Sequence, residues 1–221
     1  MQGNGFPCRE SLPKARQIGY VSGRTGISEG PPMSIRAAQA SDAEHLTRFI
    51  NMAADDLPLH FWKRSVGPGG DPWAYGRERA ARETGNFSFR NAWLAEADGE
   101  VAACLLGYPA DEPAPIDPEV PPIFVPLLEL EALAPGSWYL NVLATYAQHR
   151  GKGLGSLLLA KAEAVARAAG HQTISLIAED THQDALRLYH AKGFQEIARR
   201  PVVKGDWQVD ASEWILFLKP V

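Results

Sequence analysis

The sequence lacks several features that would assign it to a specialised class of protein. Only two of its 221 residues are cysteines, Cys8 and Cys104, and they have no metal-ligand spacing, so we expect no disulfide framework and a reducing cytoplasmic location. No apolar run approaches the roughly 20 residues that cross a bilayer, and no apolar segment typical of a secretory signal begins the chain. The net charge of -4 argues against the basic face of a nucleic-acid-binding protein. We therefore expect neither membrane nor nucleic acid as a partner.

Residues 1–33 differ in composition from the rest of the chain. They contain six glycines and four prolines, carry a net charge of +2 (four basic against two acidic residues) and show no sustained apolar period. Such a segment cannot bury enough apolar surface to offset the entropy lost on ordering. We expect a disordered or non-native N-terminal extension, with Met33 as an alternative start, followed by one domain over 34–221.

The first half of this domain shows helix and hairpin signals. Ser41 and Glu44 have the spacing of a capping box, and apolar residues at helical spacing then run to Pro58, which is expected to end the helix. A second helix is predicted over 73–84. The Asp-Gly pair at 98–99 separates two apolar stretches and favours the tight turn of a β-hairpin.

The second half combines apolar strands with an amphipathic helix. Strand patterns at 138–144 and 173–177 enclose a helical pattern over 154–169, and strand patterns at 194–203 and 214–218 follow. A strand–helix–strand unit among otherwise antiparallel pairings predicts an α/β (α+β) domain. Its mixed, mostly antiparallel central sheet should have helices on both faces.

A glycine-rich turn joins the strand at 138–144 to the helix that follows it. The run RGKGLG at 150–155 combines three glycines with Arg150 and Lys152 at the helix start. A helix start presents unpaired N–H groups and the positive end of the helix dipole, and glycine lets a ligand approach the backbone. The run therefore favours a diphosphate-binding site, although a turn that binds nothing can have the same composition.

Two common nucleotide-binding loops do not fit this run. A Walker A loop has serine or threonine directly after its lysine, whereas Gly153 follows Lys152. A dinucleotide-binding fingerprint has the spacing G-x-G-x-x-G, whereas these glycines are spaced G-x-G-x-G. A nucleotide-binding protein of either type is therefore disfavoured.

The same run resembles the R/Q-x-x-G-x-G/A signature of the GCN5-related N-acetyltransferase (GNAT) superfamily. The sequence ALRLYHAKGF at 185–194 resembles the late helix of that family, LAT at 143–145 the end of its fourth strand, and SIRAA at 34–38 its first strand. These matches follow the family's order over most of the chain. Two positions depart from the family pattern: TYA at 145–147 replaces Val-x-Pro, and His182 stands where an asparagine often contacts the cofactor.

The resemblance implies acetyl-CoA as the co-substrate, bound at the start of the helix and along the preceding strand. The residues that it assigns to cofactor binding are Leu143, Ala144, Thr145, Arg150, Gly151, Lys152, Gly153, Leu154, Gly155, Ser156, His182 and Tyr189. A backbone N–H near Leu143 is the expected oxyanion donor.

Proton transfer has two candidate residues. Tyr189 aligns with the family tyrosine that faces the cofactor sulfur, and we expect it to protonate the leaving thiolate; a core aromatic residue is the alternative. Glu131 is the candidate base, with Glu129 beside it and Asn141 able to orient a water, although a solvated loop charge is the alternative for either glutamate. No histidine pair has zincin spacing, so no catalytic metal is expected.

The function implied is N-acetyl transfer from acetyl-CoA to a primary amine of a small molecule, peptide or protein, by direct attack in a ternary complex. A non-catalytic acyl-CoA-binding regulatory module is the alternative. Many members of the family form dimers, so a homodimer is one expectation. Residues 109–136 contain six acids and no Lys or Arg, so a cationic amine would be favoured if this segment bordered the acceptor cleft.

Overall fold

A computed structural model describes residues 33–110 and 112–221. The predicted extension over 1–33 lies outside the described residues, apart from Met33, and stays a prediction. The strands are β1 (Ser34–Ala37), β2 (Ala92–Ala97), β3 (Glu100–Pro109), β4 (Trp138–Thr145), β5 (Thr173–Glu179), β6 (Gln195–Pro201) and β7 (Glu213–Pro220). They form one sheet in the order β1-β2-β3-β4-β5-β7-β6, in which only β4 and β5 pair in parallel.

Six α-helices of the described chain cover the two faces of this sheet. They are α1 (Ala43–Met52), α2 (Leu57–Val66), α3 (Pro72–Ala80), α4 (Val125–Glu131), α5 (Leu154–Ala168) and α6 (Gln183–Ala191). α5 and α6 pack on one face, and the other helices pack on the opposite face. The predicted α/β fold, with a mixed and mostly antiparallel sheet between helices, is confirmed. No helix of the described residues has the length and apolarity to cross a membrane.

Local turn chemistry agrees with the sequence at two positions. Asp98 and Gly99 have φ angles of 56° and 80° and join β2 to β3, as the hairpin prediction requires. Gly170, which follows the C-cap residue Ala169 of α5, has a φ of 85° and ends that helix in the left-handed conformation. Both residue types tolerate this backbone region better than most side chains do.

The predicted start of the first helix is wrong in detail. A short 3-10 turn over Ala40–Asp42 precedes α1, and Asp42, rather than Ser41 and Glu44, caps it. The carboxylate of Asp42 accepts the backbone N–H of Gln39 at 2.8 Å and also binds Arg36 at 2.7 Å. The strand β1 therefore holds the capping acid, a contact that local spacing does not encode.

The role predicted for Pro58 is also wrong. α1 already ends at Met52, and Pro58 stands in the first turn of α2. Proline is tolerated there because the N–H groups of a first helical turn have no partner within the helix. The proline thus begins a helix that the sequence analysis did not predict.

Candidate active site

β4 and β5 separate partway along their length. Their parallel pairing joins residues 138–140 to residues 174–176, and no pairing is present beyond them. The later part of β4 continues to pair with β3 as far as Thr145. The sheet therefore has an opening between β4 and β5. On its β4 side, backbone N–H and C=O groups are not paired with any described strand.

A β-bulge at Asn141 accounts for the opening. Leu140 and Val142, on either side of Asn141, pair with consecutive residues of β3, so Asn141 has no partner there. An extra residue bends and twists its strand, and the pairing with β5 stops directly before it. Gly107 permits the close packing on the β3 side, because a Cβ at that position would lie 2.3 Å from the ring of Trp138.

Backbone groups of β4 face the opening at alternate residues. The N–H of Tyr146 donates to the carbonyl of Ala102 in β3, so Thr145 and Leu143 present their N–H and C=O groups to the opposite side. The carbonyl of Thr145 accepts the Nε–H of Arg150 at 3.3 Å. This bond draws the arginine to the rim of the opening.

The glycine-rich turn ends where α5 begins. Gly151 and Gly153 have φ angles of 75° and 83°, in the region that favours glycine. A Cβ built on either residue would have no described atom within 4 Å, so the space beside both is open. No side-chain hydrogen bond from the described chain caps α5, and its first N–H groups are available to an anion.

The segment before the turn is held from α1. The ring of Tyr146 packs on that of Phe49 at 4.2 Å, and its hydroxyl lies 3.0 Å from Nδ1 of His45. These contacts hold the segment at the place where the family often carries proline. His149 is 5% exposed, and within the described chain neither of its ring nitrogens has a hydrogen-bond partner. Such a buried group is costly unless a ligand or water satisfies it.

One cleft of about 1710 Å³ contains both the opening and the glycine-rich turn. Its volume exceeds the roughly 300–1,000 Å³ of ordinary small-molecule pockets and suits two substrates. Of the residues predicted to bind the cofactor, those that line it are Leu143, Ala144, Thr145, Arg150, Gly151, Gly153, Leu154, Gly155, Ser156, His182 and Tyr189. Lys152 is outside this lining, and its Nζ instead pairs with Asp98 at 3.1 Å.

Tyr189 is a core residue as well as a residue of the cleft wall. It is 6% exposed, and its ring packs at 5.8 Å from that of Phe194 and 5.9 Å from that of Phe217. Burial raises the pKa of its phenol, so the hydroxyl keeps its proton across the physiological range. The two interpretations of Tyr189 are therefore compatible, and its role as an acid stays a prediction.

Neither candidate glutamate lines the cleft. The carboxylate of Glu129 accepts the Nε–H of Arg200 at 2.6 Å. Glu131 hydrogen-bonds to the side chain of the buried Tyr139, which also contacts Asn141 in the cleft wall. Burial chiefly, and then the charge of Glu131, raises the pKa of Tyr139. Glu131 thus reaches the cleft only through other residues, and its role as a base stays a prediction.

The acidic segment over 109–136 does not supply charge to the cleft wall. None of its described residues lines the cleft. Negative charge comes instead from a part of the wall that the sequence analysis did not select, which we call the acidic wall. It consists of Asp55 and Asp56 between α1 and α2, Asp184 at the start of α6, and Asp210 between β6 and β7.

The acidic wall could hardly be recognised in the sequence, because its members come from three distant segments. The adjacent acids at 55–56 are the one local signal. Their backbones have φ angles of 39° and 66°, which are unusual for residues other than glycine and often occur at functional sites. Trp207 helps to hold this loop, since its indole N–H donates to the carbonyl of Asp55 at 2.8 Å.

Comparisons with known proteins agree with this architecture. The model of the acetyltransferase (GNAT) family matches residues 56–194. No curated protein sequence is significantly similar to the chain. The fold resembles a crystal structure of an acetyltransferase, which is 24% identical, with a TM-score of 0.60 and coverage of 85% of this chain and 99% of the other.

Two further structures share the fold at lower identity. An N-acetyltransferase from Staphylococcus aureus Mu50 is 16% identical, with a TM-score of 0.58 and coverage of 84% of this chain and 100% of the other. A polyamine N-acetyltransferase from Drosophila melanogaster, which forms N-acetylagmatine, is 18% identical, with a TM-score of 0.57 and coverage of 86% and 100%. At such identities the likeness establishes the fold and leaves the substrate to the site itself.

Proposed function

Because the chain belongs to the acetyltransferase (GNAT) family, we propose that it transfers the acetyl group of acetyl-CoA to a primary amine while both substrates are bound. The chain is an acetyltransferase, and its family uses acetyl-CoA. The observation that carries the finer proposal is the continuity of the cleft. One cavity includes the glycine-rich turn, the opening between β4 and β5, and the acidic wall.

The described residues fit acetyl-CoA in two respects. The open, left-handed Gly151 and Gly153 at an uncapped helix start suit a diphosphate. The buried ring of His149, whose nitrogens have no partner in the described chain, can hydrogen-bond to a bound cofactor. We assign phosphate binding to this turn with Arg150, and binding of the pantetheine amides to the exposed backbone edge of β4.

The reaction requires a neutral amine, an oxyanion donor and an acid. The amine nitrogen attacks the thioester carbonyl, a C–N bond forms, and the C–S bond breaks as the oxyanion collapses. A backbone N–H of β4 near Leu143 stabilises the oxyanion. Tyr189 donates its proton to the leaving thiolate and regains one from the nitrogen or from water, so the products are an amide and a thiol.

The acidic wall favours a cationic acceptor. Four aspartates outnumber Arg48 in this part of the cleft lining, and a net negative field concentrates ligands of the opposite charge. The similar Drosophila melanogaster structure belongs to a polyamine N-acetyltransferase, which is consistent with this preference. We propose a small polyamine-like amine as the acceptor, ahead of a neutral or acidic one.

An acceptor panel tests the proposed function. Purified protein is incubated with acetyl-CoA and with 1,4-diaminobutane, agmatine, an aminoglycoside, a basic peptide or a neutral amine. We expect release of CoA thiol and a mass increase of one acetyl group, fastest with the cationic amines. Tight binding of acetyl-CoA without transfer to any amine would contradict the proposal and favour a non-catalytic acyl-CoA-binding module.

A further inference from the structure

Three side chains from separate parts of the fold converge beside the cleft. Asp55 belongs to the α1–α2 loop, Glu179 ends β5, and His182 precedes α6. Nε2 of His182 lies 3.2 Å from Oδ2 of Asp55 and 3.8 Å from Oε2 of Glu179. Asp55 and His182 line the cleft, whereas Glu179 is only 1% exposed. We call these three residues the carboxylate–histidine cluster.

Glu179 is the unusual member of the cluster. Among the described residues, no donor forms a hydrogen bond to either of its carboxylate oxygens. Burial first, and then the neighbouring Asp55, raises the pKa of Glu179 to about 8. A carboxyl group in this state exchanges its proton near neutral pH, so the cluster can store and release one.

The geometry fixes how His182 can act. Because Nε2 lies 3.2 Å from the carboxylate of Asp55, we expect it to carry the proton in the neutral ring. Nδ1 then carries the lone pair and can accept a proton. A histidine held in one tautomer by a carboxylate is an effective general base.

We propose that His182 is the general base of the reaction and that Asp55 and Glu179 position it. This inference rests on the proposed function. Nδ1 takes one proton from the acceptor ammonium, which leaves the neutral amine that attacks the thioester. The imidazolium is stabilised by the carboxylate of Asp55 and returns its proton to solvent after the product leaves. The nitrogen loses its second proton as the amide forms, and this loss balances the proton that the thiolate receives.

The charged groups around the cluster are consistent with this role. Asp180, next to Glu179, adds negative charge. Trp214 lies opposite Glu179 in the register of β5 and β7, and its buried indole N–H has no partner in the described chain. Arg200 is opposite Trp214 on β6 and is already engaged by Glu129. The surrounding groups thus favour the protonated state of the cluster over its deprotonated state.

A divalent metal is the competing occupant, because the ligand atoms of the three residues lie within 4.8 Å of one another. Proton sharing is the alternative that needs no cation. The raised pKa of Glu179 allows the two carboxyl groups to relieve their repulsion with a proton and without a cation. Only a metal site should respond to chelators, and the experiment uses this difference.

The test compares His182→Asn with His190→Asn, a matched control on the helix that His182 precedes, whose ring packs on Phe217 outside the cleft. With acetyl-CoA and 1,4-diaminobutane at pH 7, we expect His182→Asn to lose about 10²-fold or more in kcat/KM. Its affinity for acetyl-CoA should stay within about twofold, because asparagine often contacts the cofactor at this position in the family and the glycine-rich turn is unchanged. The control should behave like the native protein.

The pH profile separates a base from a structural residue. Native kcat/KM should rise with pH and level off as the cluster loses its proton. In His182→Asn it should keep rising towards the pKa of the amine itself, near 10.4 for an alkylamine, so the deficit shrinks at high pH. Glu179→Gln should lose less activity than His182→Asn and should shift the midpoint of the profile.

Four results would overturn the inference. Native-like kcat/KM and an unchanged pH profile in His182→Asn would remove His182 as the base and leave the proposed function standing. Loss of native activity on chelation, with recovery on adding Zn²⁺, would replace the base with a metal site. An absence of transfer by the native protein to every panel amine would remove the proposed function and the inference together. If His182→Asn fails to fold, a native profile in Glu179→Gln contradicts the inference instead.

Discussion

The two parts of the cleft differ in how they are built. The glycine-rich turn occupies consecutive residues, 150–155, which lead from one strand into the first turn of one helix. The acidic wall and its carboxylate–histidine cluster are assembled from the α1–α2 loop, the end of β5 with the start of α6, and the β6–β7 connection. Local backbone geometry forms the glycine-rich turn, whereas only tertiary packing brings together the residues of the acidic wall and the cluster.

Their electrostatics differ in the same way. The turn presents helix N–H groups and Arg150 to an anion. The acidic wall presents carboxylates, one of which, Asp56, is held by the Nδ2 of Asn51 at 2.5 Å. Each part thus has a charge that suits one of the two proposed substrates, a diphosphate at the turn and an ammonium at the acidic wall. A common cofactor with a variable acceptor would account for this division.

The largest effect is expected where the two substrates meet. Tyr189→Phe removes the proposed proton donor and keeps the ring that packs on Phe194 and Phe217. We expect kcat to fall by about 10²-fold while the acetyl-CoA Kd changes little. Single-turnover kinetics and calorimetry measure the two quantities. An unchanged rate of the chemical step would leave Tyr189 as a core residue only.

The turn can be altered without touching the acidic wall. Gly153→Val and Gly170→Val place the same side chain on the N-terminal and C-terminal sides of α5, where φ is 83° and 85° and no described atom lies within 4 Å of the added Cβ. Both should lose similar stability, about 1–2 kcal/mol, from the left-handed backbone. Only Gly153→Val should weaken acetyl-CoA binding, by roughly tenfold or more. Equal affinities in the two folded variants would locate the diphosphate elsewhere.

The acidic wall can be altered without touching the turn. Asp210→Asn should lower kcat/KM for a cationic amine by about threefold at low salt and leave a neutral amine unaffected. The difference should fade as salt shortens the screening length from about 10 Å at 0.1 M to about 3 Å at 1 M. Glu119→Gln, in the acidic segment outside the cleft, is the matched control. If both variants respond alike, net charge rather than the wall attracts the acceptor.

The pH dependence of thermal stability should reveal the raised pKa of the buried Glu179 carboxyl without an activity measurement. The pKa of Glu179, raised to about 8, exceeds the ordinary 4.5, so its stabilising contribution is present below about 4.5 and is lost as pH rises through 8. Native Tm should therefore fall between about pH 5 and pH 8 and level off above that, and Glu179→Gln should flatten the fall by a few degrees. Glu196→Gln, on the exposed strand β6, controls for loss of one carboxylate. Parallel curves for all three proteins would contradict the raised pKa.

The smallest effect is expected outside both parts of the cleft. A chain that starts at Met33 should keep the Tm and acetyl-CoA affinity of the full protein, because residues 1–32 offer no periodic apolar face for packing. Thermal unfolding and calorimetry on both lengths check this. A lower Tm or weaker binding in the shorter chain would show that the extension contributes to the domain.

Sequence patterns predicted the regular elements that rest on local signals. The hairpin at Asp98-Gly99, the long α5 and its glycine terminator follow from turn chemistry and helical periodicity. The patterns failed where a distant partner decides the outcome. Asp42 caps the first turn while bound to Arg36 of β1. The chain also breaks between α1 and α2 before Pro58, although the apolar residues continue at helical spacing across the break.

Sequence alone determined the fold class, the family and the glycine-rich turn, because each depends on residues that are close in the chain or ordered along it. Only the tertiary structure decided where the sheet opens, since the bulge at Asn141 is defined by its register against β3. It also decided which acids line the cleft. The acidic residues concentrated in 109–136 do not line the cleft, as far as that segment is described. Asp55, Glu179 and His182, by contrast, are brought together by packing. Side-chain proximity across more than a hundred residues is a property of the packed sheet, and no local pattern records it.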